Sequence, residues 1–238
     1  MTETIQGLDR YAYVENHPIN YYDGSGHSIE CSVGTCTDFF SLSGWKFSYG
    51  ERQPDNDTCA PTAIAAAISV ILGQHLDAQL VIASFEAWNP TPQKPSWTGT
   101  LLFAQADGIN EMGFKGVKAT AMVGGTRQHL LDNLRAGKPT LVTISWGDDP
   151  AIGHTLLVTG YCATTHKFTF WDPALGKEID EDFFESWYGV TFDDAWLNQP
   201  NDFIASGSMV IIEYKEEEPP SGQGSYGEPS NSWNSEME

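Results

Sequence analysis

The stretch NDTCAPTAIAAAIS, residues 56–69, puts a cysteine at the entrance of an alanine-rich apolar run. If a helix begins near Ala60, the thiol of Cys59 lies beside unpaired backbone N–H groups and the positive end of the helix macrodipole. Both favour the thiolate, the form of cysteine that attacks a carbonyl carbon. A buried cysteine serving as a small hydrophobe is the plainer reading of that position taken alone. A nucleophile needs a base, an orienting group and donors for an oxyanion, so the rest of the chain decides.

Six histidines are available. His17 and His27 lie in an irregular N-terminal region, His75 just past a helix end, His129 on a short helix and His166 in the ATTHK turn. Each reads as a surface residue. His154 differs, because it opens the apolar strand HTLLVTGYC directly after the loop GDDPAIG. A strand start beside a glycine-containing loop holds an imidazole on rigid backbone at a cleft rim. Without Cys59 it would read as a capping or partly buried histidine. Asp172 ends the next strand, KFTFW, and precedes Pro173. A hairpin over 154–171 turning at 163–166 brings both side chains out at one end of neighbouring strands. Asp172 could then accept a hydrogen bond from the imidazole and fix its tautomer; alone it is an ordinary Asp-Pro turn residue. Gln53, six residues before the cysteine, carries a side-chain amide that could join the Cys59 N–H as an oxyanion donor.

The elements that would position these groups divide the chain. Residues 61–72 read as a central buried helix, apolar nearly all round, with proline in its first turn and Gly73 just past its end. Residues 88–98, WNPTPQKPSWT, read as a proline-broken loop, 99–112 as a helix ending at Gly113, and 128–135 as a short helix. The period then changes to strands at 140–146, 154–162, 167–171 and 208–214. Helices first and an antiparallel sheet afterwards predict an α+β domain over 49–215. Residues 1–48, rich in Tyr, Gly, Ser and Asn, read as an extended arm or a few short strands. From Glu216 the acidic, Pro-, Gly- and Ser-rich sequence reads as a disordered tail to 238.

Composition narrows the partners. Thirty-two acidic residues against twelve basic ones give a net charge of −20. A phosphate backbone would be repelled, which argues against nucleic acid, and anionic membrane surfaces are disfavoured too. The field favours cationic or neutral substrates, or serves solubility. No apolar run reaches the roughly 20 residues of a membrane span. The N-terminus lacks the basic-then-apolar layout of a secretory signal, so the expectation is a cytoplasmic or non-classically exported protein. Of the four cysteines, Cys31 and Cys36 could pair with each other. His27 nearby raises a metal, but no second ligand pair follows at zinc spacing, and no metal or other cofactor is expected.

With these positions named, the chain resembles the papain-like cysteine peptidases, above all the bacteriocin leader (double-glycine) processing peptidases and their stand-alone relatives. That family carries a Gln six residues before a Cys-Gly-Pro heading an Ala-rich helix, matched here at Gln53, Cys59 and Pro61. Its later blocks are matched by ADGINEMGF, LLDNLRAGKPTLVTI, GHTLLVTGY (153–161) and FWDP (170–173). The likeness covers about 50–195. It implies a papain-like fold, a central N-terminal helix packed on an antiparallel sheet, with Cys59 as nucleophile, His154 as general base, Asp172 as orienting group and Gln53 as oxyanion donor. The 95 positions from Cys59 to His154 are fewer than the roughly 130–150 of the papain and cathepsin branch. Ala60 departs from the usual glycine, and no transporter membrane domain or ATPase follows within these residues. The resemblance implies a peptidase acting on a peptide or protein. Two alternatives stay open: an acyltransferase or transglutaminase-like enzyme using the same acyl-enzyme, and an inactive papain-like binding module.

Overall fold

The computed structural model describes residues 36, 38–88, 102–145, 153–198 and 204–215. Seven strands among them form one antiparallel sheet: β1 (Phe39–Ser41), β2 (Val117–Met122), β3 (Thr140–Ser145), β4 (Gly153–Cys162), β5 (Lys167–Asp172), β6 (Lys177–Asp180) and β7 (Met209–Tyr214). The order across the sheet is β2-β7-β3-β4-β5-β6, and β1 pairs with β4 off this path. Six helices accompany it among the described residues: α1 (Cys59–Leu72), α2 (Ala78–Trp88), α3 (Leu102–Glu111), α4 (Arg127–Arg135), α5 (Glu181–Tyr188) and α6 (Phe192–Trp196). A 3-10 turn, Phe47–Tyr49, precedes α1. This is the expected α+β architecture, with the apolar helix against the sheet.

The central strands are buried nearly end to end because both faces are covered. β3 is buried at every position, and β4 and β5 at every position but their first. α1 is buried from Cys59 to Val70 and packs on β4, α2 and the 3-10 turn. It ends where Gly73 takes the left-handed conformation, φ 67°. The turn before it sits so close to β5 that a Cβ on Gly50 would lie 2.3 Å from the Trp171 ring. Only glycine fits there without displacing a buried indole.

Several elements have weak sequence signals, and the reading above omits them. α2 buries Ala78, Val81, Ile82 and Phe85, an i, i+3, i+4, i+7 face. β2 alternates buried and exposed residues at its start and pairs with β7 along its length. β6, α5 and α6 follow β5 in quick succession, and each of these helices is too short for a clear period. The segment before residue 49 contributes to the fold: β1 pairs with the end of β4, and Leu42 and Trp45 are buried. The tail from Glu216, most of the proline-broken loop, the loop before Gly153, and Cys31, His17 and His27 lie outside the described residues.

The Cys31–Cys36 pairing that the sequence left open is not the one formed by Cys36. Cys36 forms a disulfide with Cys162, 126 residues away. Proximity in sequence favoured the shorter bridge, but β1 runs antiparallel to the end of β4, with Phe39 opposite Cys162, and delivers Cys36 there.

The sheet's far end is tied down by Arg127 at the start of α4. Its guanidinium meets Glu181 at 2.6 Å, Asp193 at 2.8 Å and the His166 carbonyl at 2.6 Å, while lying over the Phe168 ring. Glu181 also accepts from the Phe168 N–H at 2.7 Å. Asp180 caps α5 by accepting from the Phe183 N–H, 2.8 Å. Beneath this polar layer Phe184 packs against Phe170 and Phe192, which also pack on each other, and all three are fully buried. Truncating one of these rings, Phe184→Ala, is expected to cost about 3–5 kcal/mol, as buried phenylalanine truncations do, and to lower the urea midpoint accordingly.

Candidate active site

Cys59 is the first residue of α1. Its helix start is left open in an unusual way. Thr58, at the N-cap, makes no capping bond, its hydroxyl instead donating to the Asp55 carbonyl at 3.3 Å. Pro61 has no N–H, and that of Thr62 is taken by the Thr58 carbonyl. The N–H groups of Cys59 and Ala60 therefore remain at the positive end of the helix, where an anion would be stabilised.

His154, second in β4, is 3 % exposed, and Asp172, last in β5, is fully buried. Their pairing follows from register. Leu157 stands opposite Trp171, so one step along the strands Asp172 falls beside Leu156, on the face that also carries His154. His154 Nε2 lies 2.8 Å from Asp172 Oδ1. His154 is also hydrogen bonded to the Cys59 thiol, for which its other ring nitrogen, Nδ1, is left. Oδ1 of Asp172 further accepts from the N–H groups of Ala174 (2.8 Å) and Leu175 (3.3 Å), while Oδ2 accepts from the Tyr188 hydroxyl at 2.5 Å.

Gln53 stands on the loop beside this chain of bonds. Its N–H donates to the Pro173 carbonyl at 2.8 Å, and Arg52 Nε reaches the Ala174 carbonyl at 3.3 Å. The segment before the cysteine is thus laced to the turn after Asp172. The Gln53 amide donates to the Asp55 carbonyl at 2.6 Å. So the structure joins Cys59, His154 and Asp172 in one hydrogen-bonded line, with Gln53 on the adjoining loop and its amide turned toward Asp55.

Two contributors have no place in the sequence reading. Tyr188 is the last residue of α5, fixed by the left-handed Gly189 that follows. The only signal for it is the FFESWYG pattern, an aromatic pair four residues apart closed by glycine. Gln105 of α3 is fully buried, with Nε2 3.3 Å from Thr155 Oγ1 and 3.4 Å from Thr143 Oγ1. Thr155 follows His154, and its backbone N–H is hydrogen bonded to Cys59. Among the described residues no group of three or more His, Cys, Asp and Glu side chains is placed to hold a metal ion.

The electrostatics follow from opposed effects. Burial pushes the Cys59 thiol up, but His154, through its hydrogen bond and charge, and the N–H groups of Thr155 and Ala60 outweigh it and hold the thiol below its ordinary value. Burial pushes His154 down, and hydrogen bonds and charge from Asp172 and Cys59 reverse this, raising it to about 10. Burial would also raise Asp172, yet His154, Tyr188 and the Leu175 N–H keep it below the usual carboxylate range. All three shifts favour the carboxylate, imidazolium and thiolate forms of the line.

Residues 48–196 match the Peptidase_C39 like family. The chain belongs to that family. The crystal structure of a protein described as a C39-like peptidase from Bacillus anthracis superposes with a TM-score of 0.51 at 12 % identity, covering 76 % of this chain and 100 % of that one. The likeness is one of fold, and the fold is papain-like. The peptidase domain of Streptococcus ComA, a bi-functional ABC transporter involved in a quorum sensing pathway, gives a TM-score of 0.46 at 14 % identity over 70 % of this chain and 99 % of that one. No curated protein matches the sequence.

The charge pattern has a direct readout. Alkylation of Cys59 by iodoacetamide, followed by mass spectrometry of its peptide, should reach half its maximal rate below the value of about 8.5 for an ordinary thiol. In His154→Ala burial is opposed only by the Thr155 and Ala60 N–H groups, so the midpoint should rise.

Proposed function

We propose that this protein is a cysteine peptidase in which Cys59, His154, Asp172 and Gln53 carry the reaction. The observation that supports it most is the unbroken line from a thiol at a helix start, through a buried imidazole, to a fully buried carboxylate 2.8 Å away. Membership of a C39-like peptidase family agrees with it.

In this reading the Cys59 thiolate attacks the carbonyl carbon of a peptide bond. The developing oxyanion is met by the open N–H of Cys59. The Gln53 amide has a second N–H beyond the one held by Asp55, and turning that donor toward the same oxygen completes the hole. The tetrahedral intermediate collapses as His154 delivers its proton to the leaving amine, giving a thioester on Cys59. His154, now neutral, takes a proton from water as that water attacks the thioester. The peptide acid departs, the proton stays on His154, and the thiolate–imidazolium pair is restored. Asp172 keeps its charge throughout and holds Nε2, which leaves Nδ1 to serve the thiol and the leaving group. The net charge of −20 favours peptide or protein substrates of positive or neutral charge. The Cys36–Cys162 disulfide supports a working protein in an oxidising compartment.

The test is cleavage of an unstructured protein such as denatured casein, resolved by mass spectrometry of the products. Cys59→Ala should abolish cleavage, and full activity in that variant would end the proposal. Gln53→Ala should lower kcat by about 10²–10³-fold, the usual effect of losing an oxyanion donor, with KM little changed. Repeating the assay with a high concentration of an added amine separates hydrolysis from acyl transfer, because transfer would leave the amine attached to the new C-terminus.

A further inference from the structure

The line of bonds does not end at Asp172. Its Oδ1 is shared by three donors, but Oδ2 is held by one, the Tyr188 hydroxyl at 2.5 Å. The Tyr188 ring also stands beside the imidazole of His154, centroids 6.1 Å apart, and against Phe184 at 4.7 Å. Phe184 is itself fixed by Phe170 and Phe192. The ring cannot swing away without opening that cluster. Resting on the peptidase reading above, we propose that Tyr188 is a positioning residue of the reaction: its hydroxyl fixes the free oxygen of Asp172, and its ring covers the His154–Asp172 bond, so that the imidazole stays aimed at Cys59.

Chemistry favours this role over simple packing. A buried carboxylate oxygen without a donor bears a desolvation cost, and the carboxyl could relieve it by rotating. Rotation would carry Oδ1 away from Nε2. A hydroxyl on Oδ2 blocks that rotation, which phenylalanine of the same shape would not. The hydroxyl also points the positive end of its dipole at a cluster that is negative overall when Asp172 and Cys59 are charged and His154 is protonated. It therefore lowers the proton affinity of the whole cluster, and removing it must raise that affinity. The predicted shift is toward higher pH on both limbs of the reaction.

The experiment is Tyr188→Phe in the full chain, which keeps the ring and removes one oxygen. Its thermal unfolding is compared with the wild type to confirm that the fold survives. Cys59 alkylation against pH should show its midpoint raised by about half to one pH unit, part of the roughly 1–2 units that a lost hydrogen bond to a charged group is worth, because the hydroxyl acts on the thiol through Asp172 and His154. On a cleaved substrate, kcat should fall about tenfold or more with KM within about twofold. Because the hydroxyl acts through Asp172, Tyr188→Phe should have much less effect on an Asp172→Asn background than on the wild type. A reactive wild-type Cys59 with an unchanged profile in a folded Tyr188→Phe, or fully additive effects in the double variant, would overturn this inference alone. A wild-type Cys59 inert to iodoacetamide across the pH range would overturn the peptidase reading and this inference with it.

Discussion

The hydrogen bond between His154 and Asp172 sets the terms for the rest of the molecule. Two ionisable groups, one 3 % exposed and one fully buried, stand between the strands of a covered sheet. Taking such a pair out of water is expensive unless its remaining polar atoms are satisfied. Around Asp172 they are: the turn 173–176 gives two N–H groups to Oδ1, and α5 brings the Tyr188 hydroxyl to Oδ2. The turn is held by its own Gly176 N–H to Asp172 carbonyl bond, 2.8 Å, and by Arg52 and Gln53 of the loop before Cys59. α5 is held by its Asp180 cap, by Arg127 on Glu181 and by Phe184 in the aromatic layer. Much of the structure on the β5–β6 side serves to keep one carboxylate charged and still.

Burial has the same local effect at the two ends of the line, and each end offsets it differently. At Asp172 it penalises the charge that orients the imidazole, and donors offset it. At Cys59 it penalises the thiolate, and here the offset comes from His154 and from the backbone. That second offset requires a helix start whose N–H groups have not been used. Thr58 is an ordinary capping residue type, and a side-chain cap at such a position is worth about 0.5–2 kcal/mol. Its hydroxyl goes to Asp55 instead. Local stability has been given up at the one helix end where an anion is wanted, which is where departures from local rules are expected.

This also explains what could be read from the residues and what could not. Cys59, His154 and Asp172 were legible because each sits at an element boundary with its own signal: an apolar helix after a polar loop, a strand after a glycine loop, a strand closed by Asp-Pro. The hairpin between the last two is local, so its register follows from a short turn. Tyr188 was not legible, because its partner is 16 residues away and the intervening β6 and α5 are four and eight residues long. Neither gives a period to read. The same limit hid the disulfide. Cys36 finds Cys162 only through the β1–β4 pairing, a contact across 126 residues that spacing cannot reveal. The Gln53 amide shows a third kind of limit: its place in the chain fits an oxyanion donor, but the direction of a flexible side chain in a loop is settled by a neighbour, here the Asp55 carbonyl.

The disulfide raises a question that the geometry answers. A chain that keeps one pair of cysteines oxidised and needs another thiol reduced risks exchange between them, since a thiolate attacks a disulfide sulfur in line and at contact. Cys59 is the more reactive for having its thiol value lowered. Yet the two sites sit at opposite ends of β4. His154, which touches Cys59, is second in the strand, and Cys162 is last. Eight residues of extended chain separate them, about 26 Å at the usual strand rise. Cys162 is buried under β1 as well, only 6 % exposed. Exchange within one folded molecule would require β4 to come apart, and with it the whole sheet. The long central strand thus does two jobs: one end aims the imidazole at the thiol, and its length keeps that thiol from the cross-link that fastens the other end.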